Sequence, residues 1–355
     1  MGPSSSSSST STKAAKNMHD KALADMVAGL RDEAINRGAT ALMDEEVGSL
    51  GVPNPRILIV GCGGSGNNTL NRITHLGVEG AVTVAINTDK QHLDNTRSLQ
   101  KLLVGRHITR GLGAGGDPSM GRRCAEAGRE MIRRIVNGAD HVFIASGDVI
   151  SEFVLSGFNS FQALRNAPRK PFDKNRKGVN IGEVTASVLI THDSNQLVEE
   201  AVEILGEASC NDANHISGPS RTGEGLYRSM QSAFNQANLT AHDIDYISAH
   251  GTATSFNDEM EAVAFNRMHL NEVPLNSLKG YFGHSLGASG MVETIVGMHS
   301  LKNNILYKSL GFESLGVSQP INVIENTTQK SLQTFLKTAS GFGGCNTAIL
   351  FQKTN

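Results

Sequence analysis

Two histidines stand in turns built from small residues. His250 ends the apolar run "IDYISAH" and is followed by "GTATSFND"; His284 lies in "KGYFGHSLGASG", five residues after Lys279. Each imidazole falls where an element ends, which presents a side chain instead of packing it. Two neutral imidazole N–H donors converging on one carbonyl oxygen would stabilise an enolate. A metal centre is the weaker reading, because no third ligand is spaced with the pair, and none is expected.

A second group of residues suits a phosphate. "GCGGSGNN" (61–68) lies between the apolar run "RILIVG" and the helical "NTLNRITHLG", and holds G-x-G-x-x-G at Gly61, Gly63 and Gly66. Glycines let backbone N–H groups approach a phosphate, and the helix start adds a favourable dipole. Asp89 lies 23 residues after Gly66, where a dinucleotide fold places its ribose-binding acid. A further glycine-rich segment, "RGLGAGGDPSMG" (110–121), precedes another helix; a dinucleotide-binding domain has no such segment there. Without a ligand, the first loop would be only a tight strand-to-helix turn.

The elements that carry these loops follow from apolar runs and stop signals. Residues 56–61, 81–87 and 141–145 read as buried strands, and 68–77 and 120–136 as helices. Ser119 is the expected N-cap of the second helix; Gly77 and Gly138 are the expected stops. Strands alternating with helices imply a parallel, doubly wound sheet. After Gly147, residues 184–190 and 244–250 read as strands, and 224–239, 257–270 and 286–303 as helices. "FLKTAS" and "NTAILF" form a hairpin around the glycines of 341–344.

The bulk numbers narrow the class. The chain has 355 residues and a formal net charge of −2, so no global charge calls for nucleic acid or a membrane surface. Cys62, Cys124, Cys210 and Cys345 form no C-x-x-C pair, which favours a reducing compartment, the cytoplasm. No apolar run approaches the roughly 18 residues that span a bilayer. Residues 1–19 read as a disordered low-complexity tail; a myristoylation reading of Met1-Gly2 ranks behind it. Residues 20–55 read as a polar helix and a linker ending at Pro53 and Pro55.

"RILIVGCGGSGNNTLNRI", "GVEGAVTVAINTDKQHL" and "GLGAGGDPSMGRR" together resemble FtsZ, the tubulin-like cell-division GTPase, in its archaeal form. The resemblance implies a Rossmann-like GTP-binding fragment over 56–147. It places Gly63, Gly64, Asn67 and Asn68 in the first nucleotide loop and Asn87 and Asp89 in the second. Gly113, Gly115, Gly116 and Asp117 would face the terminal phosphates of GTP or GDP. That family follows its "VFIA-x-G" strand with a G-G-G-T-G-T-G loop; here Gly147 is followed by Asp148. The acids that a neighbouring subunit supplies for hydrolysis have no counterpart, so polymer-coupled GTPase activity is not expected.

From there the text changes family. "FVLSGFNSFQAL", "KPFDKNRKGVNIGE", "CNDANHISGP", "AHGTATSFND", "KGYFGHSLGASG" and "GFGGCNTAILF" resemble, in order, the C-terminal half of a β-ketoacyl-acyl-carrier-protein synthase. This thiolase-like condensing enzyme serves fatty acid and polyketide synthesis. The resemblance covers 148–355 and makes His250 and His284 the catalytic histidines, with Lys279 and Glu261 orienting them. Thr252 and Thr254 would touch the phosphopantetheine arm, and Phe342 would be the gate beside the nucleophile. No further cofactor is required, since phosphopantetheine arrives on the acyl carrier protein. The basic stretch 165–178 is either a docking surface for that acidic carrier or a solvated loop.

The nucleophile is missing. That family places a cysteine at the start of a buried helix in its N-terminal half. Cys124 reads as mid-helix, Cys62 belongs to the glycine loop, and Cys210 and Cys345 fall at positions the family does not use for attack. All four read as structural. The chain reads as two families spliced at a shared strand near residues 144–147. Three readings follow: an acyl-thioester site competent at most for malonyl decarboxylation, a GTP-binding module with a truncated site, or a chimera with neither activity. A homo-oligomer stays open, because each family associates through surfaces only partly present.

Overall fold

The computed structural model describes residues 55–160, 164, 170–192, 201–212, 214–215 and 217–354. The expected tail and N-terminal helix lie outside the described residues, as does 165–169 of the basic stretch. The chain divides into Met1–Pro55 and Arg56–Asn355. The stretches of both sequence resemblances fall within the second unit.

The first sheet begins with β1 (Ile57–Cys62), α1 (Gly63–Leu76), β2 (Ala81–Asn87), α2 (Lys90–Asn95) and β3 (Gln100–Leu103). It continues with α3 (Arg106–Thr109), α4 (Pro118–Ala127), α5 (Arg129–Val136), β4 (His141–Asp148), α6 (Glu152–Ser160) and β5 (Val184–Ile190). The order is β3-β2-β1-β4-β5. Leu58, Val60 and Val84 fill one face and Leu70, Ala85 and Leu93 the other, as two-sided burial of apolar strands demands. Gly77 ends α1 in the left-handed conformation, as its sequence position implies.

Three expectations change here. The sheet is not wholly parallel: β4 runs parallel to β1 but antiparallel to β5, from Val142 opposite Ile190 to Asp148 opposite Val184. The expected helix over 120–136 is two helices, α4 and α5, which meet at Gly128. A side chain there would strike Val104, so the backbone comes too close for anything but glycine. Asp117, not Ser119, is the N-cap of α4: its carboxylate accepts from Ser119 N, and Pro118 takes the first helical position.

The second sheet is built from β6 (Val202–Asn211), α7 (Glu224–Ala237), β7 (Tyr246–Ser248), α8 (Ser255–Arg267), β8 (Leu275–Asn276) and α9 (Lys279–Phe282). Then come α10 (Ser289–Asn303), β9 (Ile305–Leu306), β10 (Thr328–Gln329), β11 (Thr334–Gly341) and β12 (Cys345–Lys353). The order is β6-β12-β11-β7-β8, and β9 pairs with β10 alone. The hairpin of β11 and β12 closes at Gly341 opposite Cys345, with Gly343 and Gly344 supplying positive φ in its turn. Strand β6 had no counterpart in the sequence reading: its exposed acids obscure the pattern, and only Gly206 and Ala208 are buried. Helix α10 packs on β11 and also on β5 of the first sheet, so one helix touches both sheets.

Candidate functional site

Helix α8 builds the turn that carries the first histidine. Glu261 accepts from the backbone N–H of His250 at 2.8 Å and of Gly251 at 2.7 Å. Asp258, one turn earlier, accepts from Thr252 N at 3.0 Å and Phe172 N at 2.7 Å. Two carboxylates thus satisfy the donors of a buried turn. Gly251 has φ +43°, and a Cβ there would lie 2.5 Å from Ser277 Cβ, so only glycine fits. Glu261 therefore holds the backbone of His250, not its ring.

The two imidazoles meet edge to face, with ring centroids 5.2 Å apart and planes at 82°. His250 is buried and His284 half-buried. Lys279, at the start of α9, reaches His250 Nδ1 at 3.1 Å, His250 O at 2.7 Å and Glu293 Oε1 at 2.7 Å. An ammonium only donates, so each of these contacts is to an acceptor. Nδ1 of His250 is then the acceptor, and the ring proton sits on Nε2. His284 reaches the same tautomer by another route: Leu286 N donates to its Nδ1 at 3.2 Å, and Ser289 Oγ lies 3.0 Å from that atom. Burial, then the charges of Lys279, His284 and Lys337, hold the His250 imidazolium well below the ordinary histidine range. His250 is thus neutral with its proton on Nε2, and the Leu286 N–H at Nδ1 leaves His284 its proton on Nε2 as well.

Two residues of this cluster escaped the sequence reading. Glu293 on α10 forms ion pairs with Lys279 at 2.7 Å and with Lys337 of β11 at 2.8 Å. Burial pushes the Glu293 carboxyl up, but the two lysines more than offset it, leaving it below the usual range. The signal was present as lone charges in apolar text, "MVETIVG" and "TFLKTAS". Nothing in the spacing said that the two would meet.

Thr252 is buried and its hydroxyl lies 2.9 Å from that of Thr254, which precedes α8. Phe342 sits in the hairpin turn, exposed, with its ring stacked 5.5 Å from Phe158 of α6. The remaining basic stretch is partly structural: Arg176 donates to Asp173 O, and Lys170 pairs with Glu313 at 2.7 Å.

The residues expected around a nucleotide are engaged with one another. Helix α1 already begins at Gly63, so Gly64, Asn67 and Asn68 lie inside it. Asn67 donates to Gly61 O at 2.9 Å and accepts from Asn87 Nδ2 at 2.7 Å. Asp89 caps α2 through His92 N, and Asn68 Oδ1 lies 3.2 Å from His92 Nε2. Gly113 N donates to Thr88 O at 3.2 Å. Gly115, with φ +64°, faces open space. Asp117, as the α4 cap, is held below the usual carboxylate range chiefly by the Ser119 hydroxyl.

The C-terminal stretch lies against these loops. Asn211 of β6 donates to Gly116 O at 3.2 Å and Gly343 O at 2.9 Å. A Cβ on Gly287 would lie 2.5 Å from Ser65 Cβ. Gly287 N donates to Asp148 Oδ2 at 2.8 Å, and Ser65 Oγ lies 2.8 Å from Ser146 Oγ. Ser146 Oγ also donates to Gly287 O at 3.2 Å, so the strand on which the sequence changes family is bonded to the far stretch. Burial raises the Asp148 carboxyl. An open cavity of about 510 Å³ lies at the Asn211–Gly116 contact, lined by Asp117, Ser119, Ser209, Cys210 and Asn211; neither histidine lines it. Cys62 ends β1 before α1, Cys124 is buried in α4, and Cys210 and Cys345 lie on β6 and β12.

Comparison with known proteins gives the same division. Residues 56–148 match the GTPase domain of the tubulin/FtsZ family, and residues 201–313 match the C-terminal domain of β-ketoacyl synthases. The chain joins an FtsZ-like segment to a ketoacyl-synthase-like segment.

Among particular proteins, cell division protein FtsZ 2 of Halobacterium salinarum is 58% identical over 94 residues, 26% of this chain and 24% of that protein. The 3-oxoacyl-[acyl-carrier-protein] synthase 2 of Rhizobium meliloti is 33% identical over 237 residues, 62% of this chain and 56% of that protein. The chain therefore spans about a quarter of the first and a little over half of the second. A solved type II polyketide ketosynthase, in complex with its acyl carrier protein, superposes with a TM-score of 0.60 at 18% identity. That match covers 89% of this chain and 83% of the other, so the fold is ketosynthase-like across both segments. Among the described residues no helix is long and apolar enough to cross a membrane.

Proposed function

We propose that this chain retains the decarboxylating half of ketosynthase chemistry, acting on a malonyl thioester at His250 and His284. The observation that carries the reading is the shared tautomer: both rings accept at Nδ1 and keep Nε2–H as a donor. Two such donors on the thioester carbonyl stabilise the enolate as it forms. The bond between the α-carbon and the carboxylate breaks, its electron pair enters the enolate, and carbon dioxide leaves. A proton from water completes the acetyl thioester. Lys279 fixes the tautomer of His250 and supplies positive charge beside it.

Condensation needs an acyl-enzyme, and no cysteine occupies the synthase position for one. The carrier of the substrate is an acyl carrier protein, as in the solved ketosynthase complex, or coenzyme A in its place. A homo-oligomer is part of the same reading. The test is release of carbon dioxide and acetyl thioester from malonyl thioester by the purified chain. Activity lost in His284→Ala and in His250→Ala supports the reading; product formation unchanged in both, or absent from the wild-type chain, overturns it.

A further inference from the structure

The catalytic reading uses one lysine, but the buried cluster holds two. Lys337 is 3% exposed, and a buried ammonium is retained only where partners repay its desolvation. Its Nζ donates to Ser248 O at 3.1 Å and Thr338 O at 2.6 Å. It also lies 2.8 Å from Glu293 Oε2, an ion pair whose angle falls short of a hydrogen bond. The other oxygen of that carboxylate, Oε1, takes Lys279. Glu293 is thus clamped from two sides, by β11 and by α9. Lys279 in turn contacts His250 Nδ1.

We propose that Lys337 is a positioning residue: it fixes Glu293, and through Glu293 and Lys279 it keeps His250 neutral with its proton on Nε2. This rests on the decarboxylation reading for its purpose, but not for its geometry. The charged and titratable groups acting on His250 are Lys279 from α9, His284, and Lys337 from β11; Glu261 from α8 accepts from its backbone N–H, and Glu293 from α10 holds both lysines. Two ammonium groups pair directly with Glu293 in this set, and Glu261 lies close enough to interact with both. Glu261 is spent on backbone donors, and burial raises its carboxyl. Lys337 adds to burial, Lys279 and His284 in disfavouring a positive charge on His250. A second effect is geometric. Without Lys337, Glu293 loses the ammonium that β11 holds at Oε2, and the carboxylate can turn from the position that aims Lys279 at Nδ1.

The test reads the ring directly. Long-range proton–nitrogen NMR on 15N-histidine-labelled chain reports the tautomer and titration of His250 in the wild type, Lys337→Met and Lys337→Gln, from about pH 5 to about pH 9. Methionine keeps the bulk. Glutamine keeps N–H donors for the Ser248 and Thr338 carbonyls and removes only the charge, so it decides the matter where Lys337→Met fails to fold. The expected result is a wild-type ring that stays neutral with Nε2–H throughout, and variants in which a His250 titration or an Nδ1–H population enters the window. The acidic limb of the decarboxylation profile should move with it, while KM stays unchanged. A His250 titration and tautomer identical to wild type in a folded charge-free variant overturns the proposal. Loss of the decarboxylation reading appears instead as an inactive wild-type chain, and leaves the NMR result to be judged alone.

Discussion

Lys279 sets which nitrogen of His250 carries the proton. Lys279→Met removes the donor to Nδ1 and the partner of Glu293 Oε1 together. The expected result is a fall in decarboxylation kcat of about a hundredfold or more, measured as carbon dioxide release at saturating malonyl thioester. Asp258 offers a separate handle at the same scale. Burial, with a smaller push from Glu261, raises its carboxyl to about 7, against the pull of the Phe172 N–H, Arg176 and the Thr252 N–H. An unfolded aspartate titrates near about 3.9. Between those values the folded chain holds a proton that the unfolded chain has lost, so this group's contribution to stability falls as pH rises from about 4 to about 7. Asp258→Asn should flatten that slope, read from denaturant midpoints on either side of the window. Equal slopes in the two chains would reject the assignment.

At the scale of elements, close approach does most of the positioning. Helix α10 crosses β11 at Gly297, where a Cβ would lie 2.4 Å from Phe335 Cε2. Gly297→Ala should cost about 1–3 kcal/mol by overpacking, seen as a lower denaturant midpoint with an unchanged slope. The hairpin of β11 and β12 was legible because two apolar runs flank a glycine turn. Strand β6 was not, since Glu203 and Glu207 interrupt it and its partner β12 lies far along the chain. The break between α4 and α5 escaped for a related reason: Gly128 is tolerated in a helical pattern, and only the nearness of Val104 requires it.

For the molecule as a whole, the question is whether the two stretches behave as one. Pairing of β4 with β5 and the Asp148–Gly287 bond cross the point where the sequence changes family. Calorimetry should therefore give a single cooperative transition for 56–355; two separate transitions would contradict it. Saturating GDP should leave that transition in place, because the expected nucleotide residues are spent on local hydrogen bonds and on contacts with Gly343 and Gly287. A bound nucleotide at about 100 times its dissociation constant would add roughly 2.7 kcal/mol, so an upward shift is easily seen.

The sequence by itself determined the two family textures, the strands and helices with strong apolar periods, and the identity of His250, His284 and Lys279. These are local: a glycine turn or an apolar run is recognised from a few neighbouring residues. Tertiary structure alone decided that Val184–Ile190 completes the first sheet, that Asp148 accepts from Gly287 N, and that Lys279 and Lys337 share Glu293. Those facts depend on contacts between residues distant in sequence. Packing and desolvation set such contacts, and neither has a signature in local spacing.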